Sequence, residues 1–476
     1  MFTLAYVIAQ LGFPSPIEGA EDVRLDHVCI DSRQAREGSL FVALPGERTD
    51  GHLYVAQAFA AGAKAALIQR EVPGLPTIDL TAAQAPERLE VPIALRVENT
   101  LGALQRLAKA YRRDHPHLRV VGVTGSVGKT TAKEAIATVL AQRFVTLKNE
   151  GNANNEIGLP LTLLTLMPHH ERAVLEMAMY AVGEIALLCD LAQPTLGVVM
   201  NVGPTHLERL GSIERIAQAK AELVQALPPE GLAILNGDDP RVRAMSALTS
   251  APVVTFGLGP ENDLCAFDVQ TLGLGGIVFE IAIQTERFPE APRWATVHTP
   301  LLGSHAVMPA LAAVAVGLAE GLCWEEITRG LEKMGSPRLM PKRLANGALL
   351  LDDTYNASPA SCQAALDLLA SLAGRRIAVL GDMLELGDYE REAHREVGAM
   401  CASRVEHLIT VGSRARWIAE SAREAGLAAS NITEVETNQE ALDLLKTLLR
   451  EGDVVLVKGS RGMAMEEIVH ALEARE

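Results

Sequence analysis

The chain has 476 residues, more than one hydrophobic core usually supports, so several domains are expected. Hydrophobic residues make up 48% and charged residues 21%, an ordinary globular balance that excludes long disorder. With 43 Lys and Arg against 59 Asp and Glu, the formal charge of −16 speaks against nucleic acid as a partner, because a duplex-binding surface needs a basic stripe.

In chain order, the apolar stretch from Met1 to Phe13 has no basic leader and runs into Pro14 and Pro16, so it predicts a first helix, not a signal peptide. Residues 1–98 then alternate short apolar runs (Leu40–Leu44, Ala65–Ile68, Ile93–Val97) with helical patches such as Tyr54–Ala61. Turn pairs such as Pro45-Gly46 and Asp50-Gly51 separate them, the pattern of a small α/β domain. Residues 99–335 repeat strand, turn and helix. Arg119–Val123, Val174–Met177, Leu196–Asn201, Leu232–Leu235 and Val253–Phe256 predict buried strands of a largely parallel sheet. Residues 336–476 supply Leu349–Leu351, Ile377–Leu380, Leu408–Val411 and Val454–Val457, with helices such as Glu440–Leu449 between them, a Rossmann-like, doubly wound pattern. The fold class predicted is therefore α/β in three domains.

Six dispersed cysteines (Cys29, Cys189, Cys265, Cys323, Cys362, Cys401), none in a C-x-x-C pair, read as reduced residues of a cytoplasmic protein. The uncharged stretch from Thr296 to Ala319 is broken by His298, Pro300, His305 and Pro309. It lacks the roughly 20 continuous apolar residues a membrane span needs.

The strongest chemical signal is Gly122-Val-Thr-Gly-Ser-Val-Gly128-Lys129-Thr130-Thr131, which follows a strand and opens a helix. Glycines let backbone N–H groups turn onto phosphate oxygens, and a helix N-terminus adds partial positive charge. In this reading Lys129 reaches the β- and γ-phosphates and the Thr130 hydroxyl ligates Mg²⁺. Val123 stands where the strict G-x-x-x-x-G-K-[ST] pattern has its first glycine.

Three other residues are ambiguous alone. Glu176 sits in a core strand, where it is either a structural carboxylate or a metal ligand. His206 follows a strand in Asn201-Val-Gly-Pro-Thr-His206, where open sheets bind ligands, but taken alone it reads better as a satisfied surface or core histidine. Lys220 lies on a helix and, taken alone, reads as a solvated lysine. Downstream, Asp352-Asp353-Thr-Tyr355-Asn356 ends a strand after Arg343. Val379–Gly387 and Val457-Lys458-Gly-Ser-Arg461 are strand-to-loop segments, and the Lys and Arg of the second could hold an anion or line a solvated turn.

Together and in order, these segments resemble the Mur ligase family over nearly the whole chain, and within it the dipeptide-adding member. Thr124-Gly125-Ser126-Val127-Gly128-Lys129-Thr130-Thr131 is similar to the family's T-G-x-x-G-K-T-T loop, which accounts for Val123. The resemblance implies an ATP-dependent ligase that adds D-alanyl-D-alanine to UDP-N-acetylmuramoyl-tripeptide through an acyl phosphate. Such a protein is expected to be a cytoplasmic monomer without nucleic-acid partners. It implies that residues 1–98 bind the UDP moiety, with Ser32, Arg33, Glu47, Arg48 and Thr49 near it and Asn155 beside the substrate. Glu176 and His206 fall on magnesium ligands, and Lys220 on a lysine that is carbamylated to become another. Arg343 and Asp353 match residues that hold the nucleotide, while Lys458 and Arg461 lie in a segment expected to meet substrate.

Two positions depart from the family pattern. Its H-N-x-x-N-A-L-A-A segment is His305-Ala306-Val-Met-Pro309-Ala-Leu-Ala-Ala313 here, so both amides placed near adenine are replaced. Glu176-Met-Ala-Met also stands for the usual glutamate-leucine-glycine. Related ligases that add a diamino acid or glutamate to a folate, and a nucleotide-binding relative without ligation, are the alternatives. The Asp-Asn-Pro-Arg-type loop of the diamino-acid enzyme is not found in the sequence.

Overall fold

The computed structural model describes residues 2–13, 17–46, 49–82, 89–205, 207–335 and 339–474. The chain divides into two compact units, one made of Met1–Val120, Val145–Ala178 and Glu184–Pro194, the other of Val121–Phe144, Met179–Gly183 and Thr195–Glu476.

In the first unit, helix Leu4–Gln10 realises the predicted opening helix, and its Thr3 cap accepts a hydrogen bond from the Tyr6 N–H. A five-stranded parallel sheet follows, ordered His27–Cys29, Ser39–Val42, Ala65–Ile68, Ile93–Arg96, Thr77–Asp79. Its central strands are buried throughout, as expected for a parallel sheet. Helix Thr100–Arg113 is capped by Asn99, and Arg112 closes its other end by donating to the carbonyls of Ala192, His115 and Leu118. The parallel pair Thr146–Lys148 and Arg172–Glu176 also belongs to this unit.

In the second unit, strand Arg119–Thr124 pairs in parallel with Leu196–Val199, then Leu232–Asn236, then Val253–Gly257, as the sequence predicts. Beyond them Leu264–Thr271 joins in parallel, and the sheet then turns antiparallel through Ile277–Ile283 and Trp294–Thr299. This extension was not legible in the sequence. The strand Leu264–Thr271 is broken by a register shift between Phe267 and Gln270, where Asp268 takes φ +53°, so its period-two alternation does not persist.

Helices Val307–Ala319 and Trp324–Glu332 pack on the helix that leaves the glycine turn, Lys129–Leu140. Two glycines permit the close approach. A Cβ on Gly317 would lie 3.0 Å from Val139 Cγ1, and one on Gly330 only 2.6 Å from Val139 Cα. Gly330→Val should therefore push these helices apart at a cost of about 1–3 kcal/mol. Thermal unfolding would show it as a lowered Tm, and an unchanged Tm would remove the close-packing argument.

A six-stranded sheet ends the chain, ordered Met340–Arg343, Leu349–Asp353, Val454–Lys458, Arg376–Gly381, His407–Val411, Ile432–Val435. All its pairings are parallel except the first. Because the last strand of the chain inserts between Leu349–Asp353 and Arg376–Gly381, the direction of winding reverses there. Such a switch point opens a crevice at strand carboxyl ends.

Candidate active site

The glycine turn is shaped as the sequence predicts. Strand Arg119–Thr124 ends on buried Thr124, and Gly125 takes φ +154°. A Cβ there would sit 2.8 Å from the Met200 Cβ, so only glycine lets the loop lie against the next strand's end. Gly128, at φ +85°, is the left-handed residue from which helix Lys129–Leu140 starts. The Lys129 ammonium folds over the loop and donates to the carbonyls of Gly125 at 2.8 Å and Ser126 at 3.2 Å. Thr130 and Thr131 occupy the first turn of helix Lys129–Leu140.

Lys220 is not solvated. Helix Ile213–Gln225 is capped by Ser212, and Ile216, Ala219, Lys220 and Leu223 form its buried face at helical spacing. Lys220 is only 3% exposed. Burial, with a smaller contribution from the nearby Lys129 charge, holds its amine far below the ordinary lysine range. Both effects favour the neutral amine over the charged form, unlike a surface ammonium.

Glu176, at the end of strand Arg172–Glu176, is 3% exposed. One carboxylate oxygen accepts a hydrogen bond from Asn154 Nδ2 at 2.9 Å, while the other, Oε2, is buried with no hydrogen-bond partner. Asn149, fully buried, fixes the backbone on either side by accepting from the Glu176 N–H and donating to its carbonyl. An orphaned carboxylate oxygen is costly in a dry site and suits a cation, so this residue fits the divalent metal the sequence implies. Among the described residues no group of three or more His, Cys, Asp or Glu side chains is placed to hold a metal. The expected set differs in kind, drawing on a hydroxyl and a modified lysine, and its histidine, His206, lies outside the described residues.

Asn201 was not singled out by sequence reasoning, although it opens the segment leading to His206. Its Oδ1 accepts from the backbone N–H of Ser126 at 3.1 Å and of Val127 at 2.8 Å, and its Nδ2 donates to the Val127 carbonyl at 2.9 Å. Asn149 and Asn154 were likewise unassigned. An asparagine's role depends on which backbone groups the fold brings to it, and one sequence does not carry that.

In the last sheet, Asp353 and Lys458 are register partners on adjacent strands. Lys458 is 1% exposed, and its ammonium lies 2.5 Å from Asp353 Oδ2 and 2.7 Å from the Asn356 carbonyl. The alternative reading of Lys458 as part of a solvated turn is corrected here by its burial. Its charge is committed to holding Asp353. Arg461 is exposed and pairs with Glu466 at 2.8 Å, and Arg343 is exposed on the edge strand Met340–Arg343.

In the first unit, the Ser32 hydroxyl donates to Gln57 Oε1, and Arg33 is largely exposed beside Asp31. Thr49 Oγ1 lies 3.0 Å from the Tyr54 hydroxyl. Glu47 and Arg48 lie outside the described residues. Asn155 Oδ1 accepts from the N–H groups of Ile157 and Gly158, starting helix Gly158–Leu163. His52 Nε2 accepts from the Gln69 N–H, which leaves Nδ1 to donate to Asp50.

Comparison with known proteins matches this frame along its length. Residues 24–112 fit the profile described as "Mur ligase family, catalytic domain", 123–317 "Mur ligase middle domain" and 338–461 "Mur ligase, glutamate ligase domain". The UDP-N-acetylmuramoyl-tripeptide–D-alanyl-D-alanine ligase of Bacillus subtilis is 39% identical over 95% of this chain and 94% of its own. That of Escherichia coli is 38% identical over 96% and 95%. Among solved structures, MurF from Acinetobacter baumannii superposes with a TM-score of 0.84 at 31% identity, covering 99% of both chains. MurF from Thermotoga maritima, solved in complex with ADP, gives 0.79 at 28% identity, covering 95% of this chain and 97% of its own. A Mycobacterium tuberculosis folylpolyglutamate synthase, at 17% identity and a TM-score of 0.61, shares the fold. Glycine turn, buried lysine, orphaned glutamate and near full-length similarity agree, and the chain belongs to the Mur ligase family.

Proposed function

We propose that this chain is the ATP-dependent ligase that joins D-alanyl-D-alanine to UDP-N-acetylmuramoyl-tripeptide, a step of peptidoglycan synthesis. The observation that carries the reading is a strand–glycine turn–helix phosphate loop with Lys129 folded over it, in the same unit as a lysine, Lys220, buried to 3% exposure.

A carboxylate is a poor acyl donor, since its leaving group would be oxide. In the proposed reaction the terminal carboxylate of the tripeptide attacks the γ-phosphorus of ATP, forming an acyl phosphate and releasing ADP. The amine of D-alanyl-D-alanine then attacks the acyl carbon, the tetrahedral intermediate expels phosphate, and the amine loses a proton. The first step brings two anions together. Lys129 and the N-terminus of helix Lys129–Leu140 offset that repulsion, the usual arrangement in phosphoryl transfer.

Magnesium, when bound, would neutralise phosphate charge, with Thr130, Glu176, His206 and carbamylated Lys220 as its protein contacts. Burial that disfavours the charged form of Lys220 suits that modification: in its neutral form the nitrogen bonds to the carbon of CO₂ and gives up a proton, which turns a buried amine into an anionic ligand. Arg343 and Asp353 hold the nucleotide, Asp353 with Lys458 behind it. Ser32, Arg33, Glu47, Arg48 and Thr49 receive the uridine diphosphate, while Asn155 and Arg461 border the peptide.

We take residues 1–98, 99–335 and 336–476 as the three domains, and a cytoplasmic monomer as the working state. No helix among the described residues is long and apolar enough to cross a membrane.

The test is ADP release with UDP-N-acetylmuramoyl-tripeptide while the amine donor is varied. Release should require both the tripeptide and D-alanyl-D-alanine. Turnover with a diamino acid on the dipeptide precursor, or with glutamate on a folate, would move the chain to another branch of the family. ATP binding without any release would make it a non-ligating relative.

A further inference from the structure

We propose that Asn154 sets the metal preference of the magnesium site: by occupying one carboxylate oxygen of Glu176 it leaves a one-oxygen ligand, which favours Mg²⁺ over Ca²⁺. Asn154 is in this way a positioning residue, and its role rests on the magnesium ligation proposed for Glu176.

The residues involved all belong to the stretch Val145–Ala178 of the first unit. Asn149 holds the Glu176 backbone from both sides, accepting from its N–H at 2.9 Å and donating to its carbonyl at 3.0 Å. The same Asn149 amide donates to the Ala153 carbonyl at 2.8 Å, and the Ala178 N–H donates to the Asn154 carbonyl at 2.9 Å. A Cβ on Gly158 would collide with Ala153 Cα, so the backbone just before Asn154 is closely packed as well. Both main-chain segments at the Asn154–Glu176 contact are therefore fixed without help from the Asn154 side chain.

None of those bonds reaches the Glu176 carboxylate, whose last torsion is broad and soft. Among the described residues its one hydrogen bond comes from Asn154 Nδ2, 2.9 Å from Oε1, while Oε2 is buried and has no hydrogen-bond partner. An N–H aimed at Oε1 keeps a cation off that oxygen, so Glu176 offers a metal Oε2 alone. Mg²⁺ loses little by this, since it takes six ligands in a strict octahedron at about 2.0–2.1 Å and is served by single carboxylate oxygens. Ca²⁺ takes about six to eight oxygens at about 2.3–2.6 Å, often both from one carboxylate, and here it forfeits one. Removing the Asn154 amide frees both oxygens and lets the carboxylate turn.

The test is the calorimetric Kd of ADP in EDTA, in excess Mg²⁺ and in excess Ca²⁺. Groups that orient a metal ligand are worth about 10- to 100-fold in metal affinity. In Asn154→Ala the Mg²⁺ value should weaken by about tenfold, with the Ca²⁺ and EDTA values within about threefold of wild type. The preference for Mg²⁺, read as Kd in Ca²⁺ over Kd in Mg²⁺, then falls on the order of tenfold. Asn154→Asp keeps the side chain's shape but puts an oxygen where the donor was, and it should lower the same ratio at least as far.

A ratio equal to wild type in both variants, or equal weakening in Mg²⁺ and Ca²⁺, would overturn the role of Asn154, because a merely structural defect loosens both metals alike. That result leaves the magnesium ligation by Glu176 standing. Wild-type protein that binds ADP equally in EDTA, Mg²⁺ and Ca²⁺ would instead overturn the metal site, and the role of Asn154 with it. Thermal unfolding in EDTA shows that each variant is folded before its ratio is read.

Discussion

Lys129→Ala should abolish ligation while leaving the protein folded. Wild-type protein would release ADP when tripeptide and dipeptide are both present, and the variant would not do so above background. The Lys129 ammonium lies across the glycine loop, held by the carbonyls of Gly125 and Ser126, at the start of the helix that faces any phosphate in that loop. Carbonyl oxygens are weak partners for a full charge, so the same ammonium can turn to phosphate oxygens without breaking a salt bridge to those groups. In the attacking step negative charge concentrates where carboxylate and γ-phosphate meet, and a preorganised cation lowers that barrier more than it lowers the ground state. Loss of one comparable donor in other enzymes costs about 3–4 kcal/mol, on the order of a thousandfold in rate. The effect should fall mainly on kcat, with Lys129→Arg recovering little because a planar fork does not replace a point charge in a tight loop. Near-wild-type turnover by Lys129→Ala would remove Lys129 from the chemistry.

Legibility in the sequence followed physical type. The parallel strands were readable because burial on both faces writes continuous apolar runs, as in Ala65–Ile68 and Val454–Lys458. The phosphate loop was readable because its backbone shape demands glycine at Gly125 and Gly128 and its chemistry demands Lys129. The antiparallel extension was hidden by the break at Asp268, and its edge carries exposed Phe267 and Trp294 packed edge to face, side chains that composition alone assigns to a core. The site was only partly readable. Glu176 was already placed in a core strand, whereas Lys220 taken alone looked ordinary until burial was known, because an amine changes meaning once it leaves water. The burial of Lys458 was not readable, since the register that sets it against Asp353 is a long-range property of two residues 105 positions apart. Asn201 was invisible because its partners are backbone groups.

Lys220→Ala should be nearly inactive, and a short carboxylic acid such as acetate should restore part of the activity. The argument starts from burial. Lys220 is almost wholly enclosed, and both burial and the Lys129 charge disfavour its protonated form. In the unfolded chain the same lysine is protonated up to about pH 10.4. Folding therefore releases a proton, and the unfolded state binds more protons than the folded one between the depressed folded value and the ordinary one. Over that window stability rises with pH and falls as pH drops toward the folded value. A lysine that lowers stability at neutral pH is explained if the neutral amine is needed, here to take up CO₂ and become a carbamate. Lys220→Met, apolar and of similar length, removes the penalty and should be inactive yet at least as stable as wild type at pH 7. The pairing of lost activity with unchanged or raised Tm distinguishes a functional lysine from a packing one. Rescue should be specific to carboxylic acids and to Lys220→Ala, whose missing side chain leaves room for one. Carbon-13 bicarbonate should give wild-type protein a carbamate resonance that is missing from both variants. Full activity in Lys220→Ala, or rescue by chloride as good as by acetate, would return Lys220 to a structural role.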